Sequence, residues 1–218
     1  MNTKENFVVA ISREVGSGGR TVGRRLAERL GVRFSDKELI AGLREQFGLT
    51  AERIEQLKGE KRSWFADFVK FAAPMPKAEL VVDGGSRYVK EFEVRVTSED
   101  IYRAEVEIIR AIADQGACVM AGRSASFVLK DFPNKLSVFI TASRERRIER
   151  VMQRQQLTEA QAEAVVDGVD RARENFVRRF TGQSRYDLRG YDLVIDMDQL
   201  ADEDAAVEVI MKFIECNG

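Results

Sequence analysis

The stretch from Phe7 to Thr21, FVVAISREVGSGGRT, decides how the rest of the chain is read. Phe7 to Ile11 is a short, unbroken apolar run, the pattern of a strand buried on both faces. Gly16-Ser17-Gly18-Gly19-Arg20-Thr21 follows, and then a helical repeat with Val22, Leu26, Ala27 and Leu30 on one side, stopped by Gly31. A glycine-rich turn between a buried strand and a helix is what anion binding requires. Glycines let backbone N–H groups turn inward around an anion, and the helix N-terminus adds unpaired donors and a positive dipole end. Aligned on Gly19 with the phosphate-loop pattern GxxxxGK[ST], the chain has Glu14 at the first glycine, Arg20 at the lysine and Thr21 at the hydroxyl that meets Mg²⁺. The competing reading is a tight glycine-rich turn that holds nothing.

Outward from this unit the same alternation recurs. Val32 to Phe34 is a second short strand, and Asp36 is placed to cap a helix carrying Leu39, Ile40 and Leu43. Ala117 to Ala121 (ACVMA) is a third buried strand and runs into Gly122-Arg123-Ser124. Leu136 to Ile140 is a fourth, and Ser143 caps an arginine-rich helix after it. Thr158 with Gln161 forms a capping box for a long helix whose apolar stripe reads Val165, Val169, Ala172, Phe176 and Phe180. A fifth strand ends at Ile195, before a helix through Val207, Ile210, Met211 and Ile214. Short buried strands alternating with helices predict an α/β fold with a doubly wound parallel sheet.

Residues 50–97 read differently and are the expected insertion in a single domain spanning 1–218. Trp64, Phe65, Phe68, Val69 and Ala72 repeat at helical spacing until Pro74 and Pro76. Asp83-Gly84-Gly85 then separates an apolar run from an alternating one, a hairpin pattern. The helix after it starts at Thr97-Ser98-Glu99-Asp100 and carries Ile101, Ala104, Ile108 and Ile112.

Composition narrows the chemistry. The 218 residues contain no histidine, which removes Ser-His-Asp and Cys-His hydrolases and every histidine-ligated metal site. Two cysteines, Cys118 and Cys216, make neither a disulfide framework nor a structural zinc site. With an N-terminal apolar run too short for a signal peptide and no run long enough to span a membrane, a cytoplasmic location is expected. A net charge of −1 argues against a protein that coats nucleic acid polymers. The basic residues are skewed all the same. Between Arg144 and Arg189 there are 11 arginines and no lysine, and arginine suits two-pronged contacts with carboxylate and phosphate.

Three further constellations carry chemistry. Arg146, Arg150 and Arg154 lie at i, i+4 and i+8 on one helix face, where like charges repel. An anion bridging them relieves the conflict, and so does pairing with Glu159 or Glu163. On the long helix, Asp170 and Arg173 present a carboxylate and a guanidinium to one surface, while Asp167 and Arg171 stand at ion-pair spacing. Gly122-Arg123-Ser124 ends a strand, and ligands in open α/β sheets sit outside the carboxyl ends of strands.

Taken in order, VVAISREVGSGGRTVGRRLAERLGVRFSDKELI, ACVMAGRSASFVLKDFPNKLSVFITASRERRIERV, VDRARENFVRRF and YDLVID resemble the cytidylate kinase-like proteins. The resemblance implies a five-stranded parallel sheet, ATP with Mg²⁺ on the phosphate loop, a lid near residues 144–160 and a second pocket for a nucleoside monophosphate. It implies that Gly16, Ser17, Gly18, Gly19, Arg20 and Thr21 hold the donor phosphates, with Thr21 on the metal. It also implies that Arg123 and Ser124 contact the acceptor, that Arg146 and Arg150 act from the lid, and that Asp170 and Arg173 meet the nucleotide. Asp36 is a further candidate carboxylate near the substrate. The chain differs from authentic cytidylate kinases in having Arg20 for the loop lysine and Ser124 after Gly122-Arg123. The expected function is ATP-dependent phosphoryl transfer to a small anionic acceptor, with CMP or dCMP leading. A nucleotide-binding protein with weak or no catalysis, and a kinase for a non-nucleotide acceptor, are the alternatives. The oligomeric state stays open, a homodimer included.

Overall fold

The computed structural model describes residues 1–36, 98–122 and 124–217, with 78–83 and 86–91 as strands only. The expected helix after Asp36, the aromatic helix at 64–72 and Arg123 lie outside the described residues. The chain order is β1 (Val8–Arg13), α1 (Gly19–Leu30), β2 (Arg33–Ser35), β3 (Ala78–Asp83), β4 (Ser86–Glu91) and α2 (Ser98–Asp114). It continues with β5 (Cys118–Ala121), α3 (Ala125–Val128), β6 (Lys135–Thr141), α4 (Arg144–Gln155), α5 (Glu159–Thr181), β7 (Leu193–Asp196) and α6 (Glu203–Cys216).

Five strands form one parallel sheet in the order β2-β5-β1-β6-β7. β1 is central and pairs with β5 on one side and β6 on the other, so the chain order reverses around it. β3 and β4 pair antiparallel with Asp83 opposite Ser86, the hairpin that Asp83-Gly84-Gly85 predicted.

The continuous apolar run of β1 has a direct physical cause. Val9 and Ile11 face one layer with Val22 and Leu26 of α1 and Val207 and Ile210 of α6. Val8 and Ala10 face the opposite layer with Ile101, Ala104 and Ile109 of α2. With both faces covered by helices, no position on the strand can be polar cheaply. The helix punctuation is as read: Gly31 ends α1 at φ 67°, and Thr158 and Gln161 form a reciprocal capping box at α5.

One face departs from the pattern. α5 buries Ala162, Val165, Val166, Asp170, Phe176 and Val177, whereas Val169 and Phe180 are only half-buried. The buried line Ala162–Val166–Asp170 packs against α4, so a carboxylate is buried on a face outside the expected apolar stripe. Apolar spacing alone cannot show this, because Asp170 is tolerated there only through its partners on other elements.

Candidate phosphate-binding site

The loop Glu14–Thr21 joins β1 to α1 at the carboxyl edge of the sheet. Gly16 and Gly18 have φ of 84° and 89°, the left-handed region that glycine reaches without strain. A Cβ on Gly16 would lie 2.8 Å from Arg147 Cα, so the backbone of α4 also excludes any larger residue. Gly18 is the N-cap of α1 and no side chain caps this terminus. Ser17 donates its N–H to Glu14 O at 3.4 Å and its hydroxyl to the same carbonyl at 3.0 Å. The N–H groups of Gly16, Gly18, Gly19 and Arg20 meet no acceptor among the described residues. Unpaired amides at a helix N-terminus, on a left-handed glycine backbone, form an anion-binding concavity.

The charged groups around it come from four elements. Arg20 is exposed and pairs with Asp36 at the end of β2. Thr21 Oγ1 accepts from Arg154 Nη2 at 3.4 Å. Arg150 pairs with Glu203 of α6, and a Cβ on Gly18 would lie 3.0 Å from Arg150 Nη1. Burial pushes the pKa of Arg150 down, and the cations Arg154, Arg146 and Arg25 add to the effect. A site where one guanidinium is desolvated beside three other cations favours an anion.

Among the described residues the arginine stripe does not pair with Glu159 or Glu163. Arg146 pairs with Asp198 at 3.5 Å and donates to Met197 O, so Asp198 and Glu203 offset two of the three stripe arginines. Glu163 and Asp167 both pair with Arg144 at 3.0 Å, and Asp167 thus turns to α4 rather than to Arg171.

Asp170 is buried and takes the Val15 N–H on its two oxygens at 3.1 and 3.3 Å. Arg147 Nη1 reaches it at 2.7 Å, with Arg185 Nη1 at 3.5 Å and Arg173 Nη1 at 3.6 Å. Arg173 and Arg185 also donate to Arg13 O. The backbone of Arg185 is held on both sides: its carbonyl accepts from Tyr191 OH at 2.8 Å and its N–H donates to Glu174 at 3.0 Å. Glu14, at the position of the first loop glycine, accepts from Thr141 Oγ1 and pairs with Arg147 at 3.5 Å. Ser124 is half-buried at φ 60°, a left-handed conformation that a serine holds at some cost. Gly122 beside it donates to Ile11 O at 2.7 Å and lies against the Arg13 guanidinium.

The structure thus gathers Gly16 to Thr21, Asp36, Arg150 and Arg154 at one loop, and Asp170 with Arg173 directly behind it. Arg146 stands further along α4 against the segment after β7. Sequence reading missed Glu14 as an ion-pair member, together with Arg147, Arg185 and Glu203. Glu14 carried a signal, being a charge where the loop pattern has glycine. Arg147 sat off the arginine stripe, and nothing local marks Arg185 or Glu203. Among the described residues no group of three His, Cys, Asp or Glu side chains is placed to hold a metal, and no helix is long and apolar enough to cross a membrane.

The fold is similar to an uncharacterized protein from Eubacterium ventriosum ATCC 27560, with TM-score 0.65 and 24% identity over 96% of this chain and 98% of that one. It is similar to shikimate kinase from Bacteroides thetaiotaomicron, with TM-score 0.57 and 15% identity over 96% and 98%. Shikimate kinase from Acinetobacter baumannii, in complex with shikimate, gives TM-score 0.53 and 18% identity over 99% and 98%. No curated protein matches the chain. The fold is that of P-loop kinases. The cytidylate kinase-like family matches residues 8–199, from the first strand through the segment after β7, and the chain belongs to that family.

Proposed function

We propose that the protein transfers the γ-phosphoryl group of ATP to a small anionic acceptor, with a nucleoside monophosphate such as CMP or dCMP the leading candidate. The observation that carries this is the set of loop amides at Gly16, Gly18, Gly19 and Arg20, without acceptors among the described residues and bordered by Arg20, Arg150 and Arg154. Such a concavity fits a polyphosphate. The hydroxyl of Thr21 suits a hard cation that draws its other ligands from phosphate oxygens and water. Bound together, ATP and Mg²⁺ supply the phosphoryl group and neutralise its oxygens.

The chain's residues then position and screen charge. The loop amides and Arg20 grip the donor phosphates, Arg20 exchanging Asp36 for phosphate. Arg146 and Arg150 of α4 neutralise the transferring group and exclude water. Arg123, Ser124 and Arg173 meet the acceptor, and Asp170 orients Arg173 from behind. An acceptor that is already an anionic phosphate needs no general base, which suits a chain without histidine. The fold is shared by kinases of shikimate and of sugars, so the acceptor follows from side chains at the site and not from the fold.

A second reading has its own support. Arg20 and Arg150 already hold carboxylates, Asp36 and Glu203, which suits a nucleotide-binding protein without useful turnover. Coupled ADP release over a panel of nucleoside monophosphates, shikimate and sugars separates the two. Acceptor-dependent ADP release with CMP or dCMP supports the kinase. ATP binding with no release above background for any acceptor sinks it and supports the second reading.

A further inference from the structure

Two peptide groups at the start of the phosphate loop are clamped by side chains from the two helices that follow β6. The Glu14–Val15 peptide gives its N–H to Asp170 of α5 at 3.1 and 3.3 Å, and its carbonyl accepts from Ser17 at 3.4 and 3.0 Å. The next peptide, Val15–Gly16, has its carbonyl held by Arg147 Nη1 of α4 at 3.4 Å. Arg147 and Asp170 are bonded to each other at 2.7 Å, and Arg147 is fixed again by Ala142 O at 3.2 Å and Glu14 at 3.5 Å.

A trans peptide points its C=O and N–H in opposite directions. Holding the Val15 carbonyl on the Arg147 side therefore turns the Gly16 N–H to the other side. Taking the Val15 N–H onto Asp170 removes that amide from the set an anion can use. The pair thus decides which amides face a phosphate, before any phosphate arrives. Both side chains are buried, at 10% and 9% exposure, so neither offers a surface to a ligand. A buried ion pair is a costly way to fasten helices together, and apolar residues of the same size do that as well or better. What apolar residues cannot do is bond to the loop backbone.

We propose that Arg147 and Asp170 are positioning residues for the donor phosphates, and that Asp170 acts through the loop backbone and not by reading the acceptor's base. This rests on the loop being the phosphate site, and the test is chosen to keep the two apart. ATP and inorganic pyrophosphate are titrated by calorimetry into the wild-type protein, into Asp170→Ala, and into the double variant Arg147→Met with Asp170→Leu, alongside urea unfolding of each. Binding is read without turnover, so the result stands whether or not any acceptor is phosphorylated. The expected result is that Asp170→Ala binds both probes at least tenfold more weakly. The double variant is expected to recover wild-type resistance to urea while binding stays weak. A purely structural role predicts that recovered stability brings recovered binding, and that outcome overturns the inference. So does wild-type affinity for both probes in folded Asp170→Ala. Asp170→Asn, which keeps an acceptor for Val15 N–H, supplies the milder variant: loss of discrimination between CMP and UMP with ATP affinity intact would return Asp170 to the acceptor pocket. No binding of either probe to the wild-type protein removes the phosphate-site reading itself, and this inference with it.

Discussion

Among the arginine–carboxylate pairs that join helices α4 and α5, two stand one helical turn apart. Arg147 meets Asp170 and Arg144 meets Asp167, each across 23 residues of sequence. The chemistry is the same and the surroundings are not. The inner pair is 10% and 9% exposed, and it also bonds the loop backbone. The outer pair is 42% and 47% exposed, and water competes for it. Burial makes the inner pair dependent on both partners, because removing one strands a charge out of water. The outer pair loses little when broken, since either group can be resolvated.

Breaking the inner pair has the largest expected effect. Arg147→Ala leaves Asp170 with a reduced set of partners and costs about 3–5 kcal/mol of folding stability, measured by urea unfolding. A loss no larger than that of an exposed arginine would mean that Asp170 is solvated in solution. Next is the loop that the inner pair holds. Gly16→Ala combines a left-handed φ of 84° with overlap on the Arg147 backbone. It is expected to lose at least ~1–2 kcal/mol from the backbone conformation alone. Phosphate affinity should fall with it, and an ordinary affinity in a folded variant would show that the loop shifts without consequence.

Arg20 extends the comparison to the mouth of the loop, where its pairing with Asp36 is exposed on the arginine side. Arg20→Ala is expected to weaken ATP binding by at least ~1.5 kcal/mol with little change in unfolding, and Arg20→Lys to retain binding. Equal ATP affinity in the alanine variant would remove Arg20 from the phosphate contacts. The smallest effect belongs to the outer pair. Its hydrogen bond from Arg144 holds the Asp167 carboxyl below the usual carboxylate range. A depressed folded-state pKa gives stability that is present above the ordinary value and lost as pH falls through the folded one. Wild-type protein and Arg144→Gln should therefore differ slightly near neutrality and converge in acid or in high salt. A difference that persists at high salt would show the outer pair to be less solvated than its exposure indicates.

The legible parts of the site were those written in consecutive residues. GSGGRT after FVVAI gave the glycine-rich turn into α1, because left-handed glycines and a bare helix N-terminus are local features. Arg154 and Arg150 were legible as members of a cationic face, though not as neighbours of Thr21 and Gly18. Asp170 was visible as a charge beside arginines, and its spacing to Arg173 suggested an open surface. Its burial depends on the approach of α4 and of the Val15 peptide, neither of which a helical repeat encodes.

The sequence by itself determined the strand–loop–helix unit, the five strands of the sheet, the Gly31 stop and the Thr158–Gln161 capping box. Each follows from forces acting within a few residues: backbone sterics, hydrogen bonding at helix ends, and the period of apolar side chains. Only the tertiary structure decided which arginine meets which carboxylate. Arg150 with Glu203, Arg146 with Asp198 and Arg185 beside Asp170 join segments that no local preference brings together. A guanidinium accepts any carboxylate within reach with similar energy in water. Packing of the helices on the sheet sets both the reach and the burial, and burial gives one such pair its hold on the glycine-rich loop.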